Sequence, residues 1–268
     1  GWKRVLDLES PLTPERDRLQ ALLKALGDEA EVMSFATPPP EAEMEARELF
    51  RSEGLEPGRT VVLHGMGPGR VPEGFPRLMG ELVHQEGLEG VHLRMADAAG
   101  EPASGLRVVT CSGPAAALAF LRRVRLAAGG EGLTSVLAAL AGVPQLVVVG
   151  GDHFGRFHPS GPETVMAALP LDCYGCLGAC PYPTRSCTQA VPQAVLRKAW
   201  EEALARAPRK PRLVVPAEPQ GIPGGAGALD LAGLLNPEAV QLVRAGDPGS
   251  TTLRFGFGIS LWSGPSVR

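Results

Sequence analysis

The chain has 268 residues, 44% of them hydrophobic and 21% charged, with a formal net charge of −3. That near-neutral balance, with a pI near 6.0, offers no basic footprint for nucleic acid or for an anionic membrane surface. The longest apolar runs, such as residues 145–151, fall far short of the roughly 20 residues a membrane helix needs, so no membrane span is expected. The chain opens at Gly1 with no charged-then-apolar signal segment, and the reading is a cytoplasmic globular protein. Five cysteines occur, four of them between Cys173 and Cys187. Without an export signal they suggest thiol or metal chemistry before a disulfide framework.

The first 58 residues read as helical and connecting. Thr13-Pro14-Glu15 supplies an N-cap, a proline at the first helical position and an early acid. Leu19, Leu22, Leu23 and Leu26 then repeat at helical spacing until Gly27. After a proline-rich turn at 35–41, a second helix is predicted over 41–53, burying Ala42, Ala46, Leu49 and Phe50 and stopping at Gly54.

From residue 60 the pattern changes to strand, glycine turn and helix. Strands are predicted at 60–64, 91–95, 106–111, 125–128 and 145–149, and helices at 75–85, 114–124 and 134–141. The run Gln145-Leu-Val-Val-Val149 shows no alternation, as expected of a strand covered on both faces of a parallel sheet. The fold class is therefore α/β, a doubly wound, Rossmann-like parallel sheet. A further helix opens at Val191-Pro192 and runs to about residue 207. Beyond it we expect a strand at 212–215, a loop at 221–227, a helix over 236–245 and a strand-like tail at 253–259. The domain reading is a helical segment at 1–58, a Rossmann-like domain at 59–207 containing a cysteine-rich stretch at 171–190, and an extension at 208–268 that packs back on the fold.

Ligands of such sheets sit outside the carboxyl ends of the strands. Three loops qualify. The first, Gly65-Met-Gly-Pro-Gly-Arg70, brings backbone amides at Gly67 and a cation at Arg70, although a tight turn with a solvated arginine would look the same. In the second, Gly129-Gly-Glu-Gly-Leu-Thr-Ser135, Thr134 or Ser135 can cap the next helix, whose free amides suit a pyrophosphate. Glu131 there would accept sugar hydroxyls or simply cap the helix. The third, Gly150-Gly-Asp-His-Phe-Gly-Arg-Phe-His158, gathers Asp152, His153 and Arg156 behind the double glycine Gly150-Gly151.

The run Leu133-Thr-Ser-Val-Leu-Ala-Ala-Leu-Ala-Gly-Val-Pro144, followed by Leu146-Val-Val-Val-Gly-Gly-Asp-His-Phe-Gly-Arg-Phe-His-Pro159, resembles the donor-site signature of heptosyltransferase-like bacterial glycosyltransferases. The cysteine segment and the following Val191-Pro-Gln-Ala-Val195 are similar to one branch of that family. The resemblance covers roughly residues 55–207. It implies a GT-B architecture of acceptor and nucleotide-sugar halves, and sugar transfer from a nucleotide diphosphate that requires no metal or cofactor. On this reading Glu131, Thr134 and Ser135 hold sugar and phosphate, Arg70 and Arg156 offset diphosphate charge beside the amides at Gly67, and the turn from Gly150-Gly151 to His153 contacts the nucleotide. Family members carry the catalytic base largely in the acceptor half, and Asp152 and His153 are the clustered candidates for it here. Two departures stand out. Val136 replaces a histidine of the family's acidic loop, and only 59 residues precede Thr60, about half or less of an ordinary domain of ~100–150 residues. The alternative expectation is a non-catalytic scaffold subunit, with a protein partner or a missing acceptor domain.

Cys173, Cys176, Cys180 and Cys187, spaced C-x2-C-x3-C-x6-C, match no standard zinc or ferredoxin signature. Four thiolates this close could hold zinc or an iron–sulfur cluster; reduced thiols or disulfides remain open. Cys111, at a strand end, reads as a buried thiol.

Overall fold

The computed structural model describes residues 37–96, 106–150, 163–169, 171, 180, 185–205, 212–216 and 241–245. In chain order its elements are α1 (Pro40–Ser52), β1 (Thr60–His64), α2 (Phe75–Gln85), β2 (Glu89–Met95), β3 (Arg107–Cys111), α3 (Pro114–Leu121) and β4 (Leu126–Gly130). They continue with α4 (Leu133–Leu140), β5 (Gln145–Val148), β6 (Thr164–Ala167), α5 (Ser186–Gln189), α6 (Gln193–Leu204), β7 (Arg212–Pro216) and β8 (Gln241–Ala245). The strands form one eight-stranded sheet in the order β3-β2-β1-β4-β5-β6-β7-β8. Every neighbouring pair is parallel.

The continuous apolar strands are explained by helices on both faces. In β1, Val61 and Leu63 join a core with Phe75, Leu78, Met79 and Leu82 of α2 and with Val195, Leu196, Ala199 and Trp200 of α6. Val62 points the other way, into a core with α1, α3 and α4. Alternate residues of one strand thus serve two cores, and neither face can take a polar side chain cheaply. The most enclosed helix is α3, whose residues 116–121 are all buried between α1 and the sheet. Its alanines allow the close approach, and Phe120 stacks on Phe50 of α1 with ring centroids 4.5 Å apart. Outside the stack, Arg123 pairs with Glu43 at 2.5 Å.

The local signals in α1 agree with this packing. Proline stands at the first helical position, Glu41 and Glu43 lie in the first turn, and Arg51 lies in the last, each complementing the helix dipole. Glu45 of the same helix reaches the β3–α3 junction, where it accepts hydrogen bonds from the Ser112 N–H (2.7 Å) and hydroxyl (2.5 Å). Cys111, just before this junction, is fully buried, and burial together with the Glu45 carboxylate pushes its thiol up to about 12. It is an inert core thiol, as expected.

Two expectations change. Residues 241–245, read as the end of a helix, form strand β8, paired in register with all five residues of β7. Val243 and Ala245 are buried there, so sheet pairing overrides a helical propensity that the sequence window shares with many strands. The remainder of the expected 236–245 helix lies outside the described residues, as do the N-terminal helix, the 221–227 loop and the 253–259 tail. Strand β6, four fully buried residues, was not anticipated, because so short a run carries no readable period. The sheet thus runs past residue 207, through β7 and β8.

Between β1 and β4 the backbones come unusually close. His64 pairs with Gly129 in register, and a Cβ added at Gly129 would overlap the His64 carbonyl oxygen and lie 2.7 Å from its Nδ1. Gly129→Ala should therefore destabilise the chain by about 3 kcal/mol or more, seen as a lowered urea midpoint. Phe120→Ala, which empties the stack under α1, should cost about 3–5 kcal/mol in the same measurement.

Candidate functional site

Strand order reverses direction between β1 and β4: the chain moves from β1 towards β3 on one side and from β4 towards β8 on the other. In open parallel α/β sheets such a switch point, at the carboxyl ends of the two strands, is where ligand crevices form. The first two glycine loops meet here, and the third begins beside them.

The loop after β1 turns at Gly65, whose φ of +58° favours glycine. Space demands it too, since a Cβ there would come within 2.8 Å of the Gly130 carbonyl oxygen. Gly130 in turn faces the Arg70 backbone, with room for no side chain: an added Cβ would lie 3.0 Å from the Arg70 oxygen. The loop closes with the Arg70 N–H donating to the Gly67 carbonyl at 3.1 Å, leaving Gly67 exposed. These contacts aim Arg70 across the crevice, where Nη1 donates to the Glu131 carbonyl at 2.7 Å.

Glu131 joins all three loops. Its carbonyl receives Arg70, while its carboxylate accepts the Gly150 N–H at 3.0 Å, just beyond β5. One residue later Gly132 begins α4. Ser135 Oγ accepts the Gly132 N–H at 3.1 Å and donates to the Gly132 carbonyl at 2.7 Å, so Ser135 shapes the helix start from within. Thr134 lies half-buried in the first turn. A Cβ on Gly132 would lie 3.5 Å from Arg70 Nη1, which sets the guanidinium beside the N-terminus of α4. The positive end of a helix and a cation thus occupy the same spot, an arrangement suited to a diphosphate.

Gly67, Arg70, Glu131, Thr134, Ser135 and Gly150 are accordingly gathered at one edge of the sheet. Gly151, Asp152, His153, Arg156, Cys173 and Cys176 lie outside the described residues. Cys180 and Cys187 are both half-buried, and Cys187 packs against the larger core. Among the described residues no group of three or more metal-ligating side chains occurs.

Sequence reasoning missed two participants. His64, buried at the end of β1, sits against Gly129 directly below the crevice. Its signal was a histidine closing an otherwise apolar strand. Thr188, in α5, donates Oγ1 to the Gly69 carbonyl at 2.7 Å. No local pattern announces that contact, because its partners are 119 residues apart.

No protein-family model matches the chain, and no curated protein does. Among solved structures it is similar to a family 9 glycosyl transferase from Veillonella parvula, at 17% identity and a TM-score of 0.58, over 74% of this chain and 62% of that one. The ADP-heptose lipopolysaccharide heptosyltransferase II of E. coli matches at 10% identity and a TM-score of 0.46, over 66% and 55%. An iron-containing dodecameric glycosyltransferase from enterotoxigenic E. coli matches at 17% and 0.45, over 56% and 47%. The chain thus spans less than two thirds of the family 9 structure. At such identities the likeness is one of fold: over the stretch the two share, this chain has the doubly wound α/β fold of the family 9 glycosyl transferase.

Proposed function

We propose that the crevice between β1 and β4 seats the diphosphate of a nucleotide sugar, and that the chain serves a glycosyltransferase as its donor-binding part. The observation that carries this reading is the convergence on Glu131 of the Arg70 side chain and the Gly150 amide at the topological switch point. In this reading Arg70 and the α4 amides offset phosphate charge, helped by Arg156. Glu131 and Thr134 take up sugar or ribose hydroxyls, Ser135 acts through the helix start it closes, and the Gly150-Gly151 turn faces the nucleotide. Asp152 and His153 are the candidates for a catalytic base, and the working compartment is the cytoplasm.

A positive charge and a helix N-terminus both favour the leaving diphosphate over the bound sugar ester, because charge grows on it as the glycosidic bond breaks. Sugar transfer of this kind requires no metal. A non-catalytic scaffold is the second reading. It is favoured by Val136, which stands where the family has a histidine, and by the pairing of Arg70 and Glu131 with the chain's own backbone.

The test is thermal unfolding with ADP, UDP and GDP. A ligand present at about 100 times its Kd adds roughly 2.7 kcal/mol, which corresponds to several degrees of Tm in a chain of this size. We expect at least one nucleoside diphosphate to give that shift, and Arg70→Gln to weaken its binding about tenfold. No shift from any of the three at about 1 mM, with other chains co-purifying, would leave the scaffold reading standing. We further propose a single metal centre, zinc or iron–sulfur, on Cys173, Cys176, Cys180 and Cys187. Elemental analysis should find one centre per chain, lost in Cys173→Ser; a metal-free wild type purified without chelator would end that proposal.

A further inference from the structure

The loop after β1 is held from two sides. Gly130 and Glu131 hold it at the end of β4, through the close backbone approach and the Arg70 hydrogen bond. On the far side lies the turn of residues 185–189, which closes the four-cysteine segment. Thr188 there is 7% exposed, and its Oγ1 donates to the Gly69 carbonyl at 2.7 Å while lying 3.1 Å from the Arg185 carbonyl. Gly69 has a φ of +75°, and a Cβ added to it would meet Arg185 Cδ at 3.5 Å. The turn therefore rests directly on the loop.

Elsewhere the loop is held by Met66, which packs against the larger core, and by the Arg70 N–H bond to the Gly67 carbonyl at 3.1 Å, while Gly67 and Pro68 between them are exposed. Gly69 precedes Arg70, so whatever fixes the Gly69 peptide also sets the direction in which Arg70 leaves the chain. We infer that Thr188 is a positioning residue for the diphosphate site. It anchors the Gly69 carbonyl and so holds Arg70 over the start of α4, tying the loop to the end of the cysteine segment. The ligand named here rests on the function proposed above; the tether itself does not.

Hydrogen exchange measured by mass spectrometry over residues 65–71, together with calorimetric titration of ADP, UDP and GDP, tests both parts on the full chain. In Thr188→Val, which keeps the shape and loses the hydroxyl, exchange over 65–71 should rise about fivefold, the equivalent of one ordinary hydrogen bond. Protection in β1, β4 and α6 should stay unchanged, and the Kd of whichever nucleotide binds should weaken by a similar factor. Thr188→Ser should restore both, and Thr188→Ala replaces the valine variant if that one fails to fold. Unchanged exchange in the loop, equal loss in the serine variant, or a uniform rise across the sheet would each overturn the tether. If the wild type binds none of the three nucleotides, the diphosphate reading fails, and the exchange comparison alone decides whether Thr188 holds the loop.

Discussion

The site depends on how closely two parallel strands can end. At the carboxyl edge of β1 and β4, the pairs His64–Gly129 and Gly65–Gly130 bring backbone against backbone with no space for a single methyl group. A side chain on either glycine of β4 would push the β1 loop outward and carry Arg70 away from Glu131. Glycine is thus required on β4 for reasons of space, while at Gly65 both space and the positive φ require it. The convergence of loops at the crevice follows from this contact.

The rest of the composition fits the same constraint. Aromatic residues make up only 5% of the chain, and the core is assembled largely from valine, leucine and alanine. Small side chains let α3 lie buried between α1 and the sheet; Phe50 stacks on Phe120 where those two helices meet, and Trp200 of α6 fills the larger core against the sheet. Among the described residues few polar side chains are buried, and one pair bridges neighbouring strands, Gln145 Nε2 donating to Thr164 Oγ1 at 3.0 Å. Where a charge is buried it is tied down, as Arg212 is to the Glu202 side chain and carbonyl.

Much of the fold could be read from the sequence because parallel strands leave a plain signal. Val-Val-Leu in β1 and Leu-Val-Val in β5 lack alternation, and each is followed by glycine and a helix. The class and most boundaries follow from that. β6 and β8 escaped for a different reason: they are short, and their strand character comes from neighbours distant in sequence. In the site, Arg70, Glu131 and Gly150 could be named from loop position. Their mutual bonding could not, since it runs through the Glu131 carbonyl and the Gly150 amide, groups every residue carries. Thr188 was hidden for the same reason, as its acceptor is the backbone of Gly69.

Glu45 bears on the charge of this edge. By filling the β3–α3 junction with a carboxylate bonded to the Ser112 amide and hydroxyl, α1 gives that helix start an internal counter-charge. The start of α3 is thereby closed to anions, whereas the start of α4 has a guanidinium beside it, so the two helix ends along one edge of the sheet carry opposite electrostatic character.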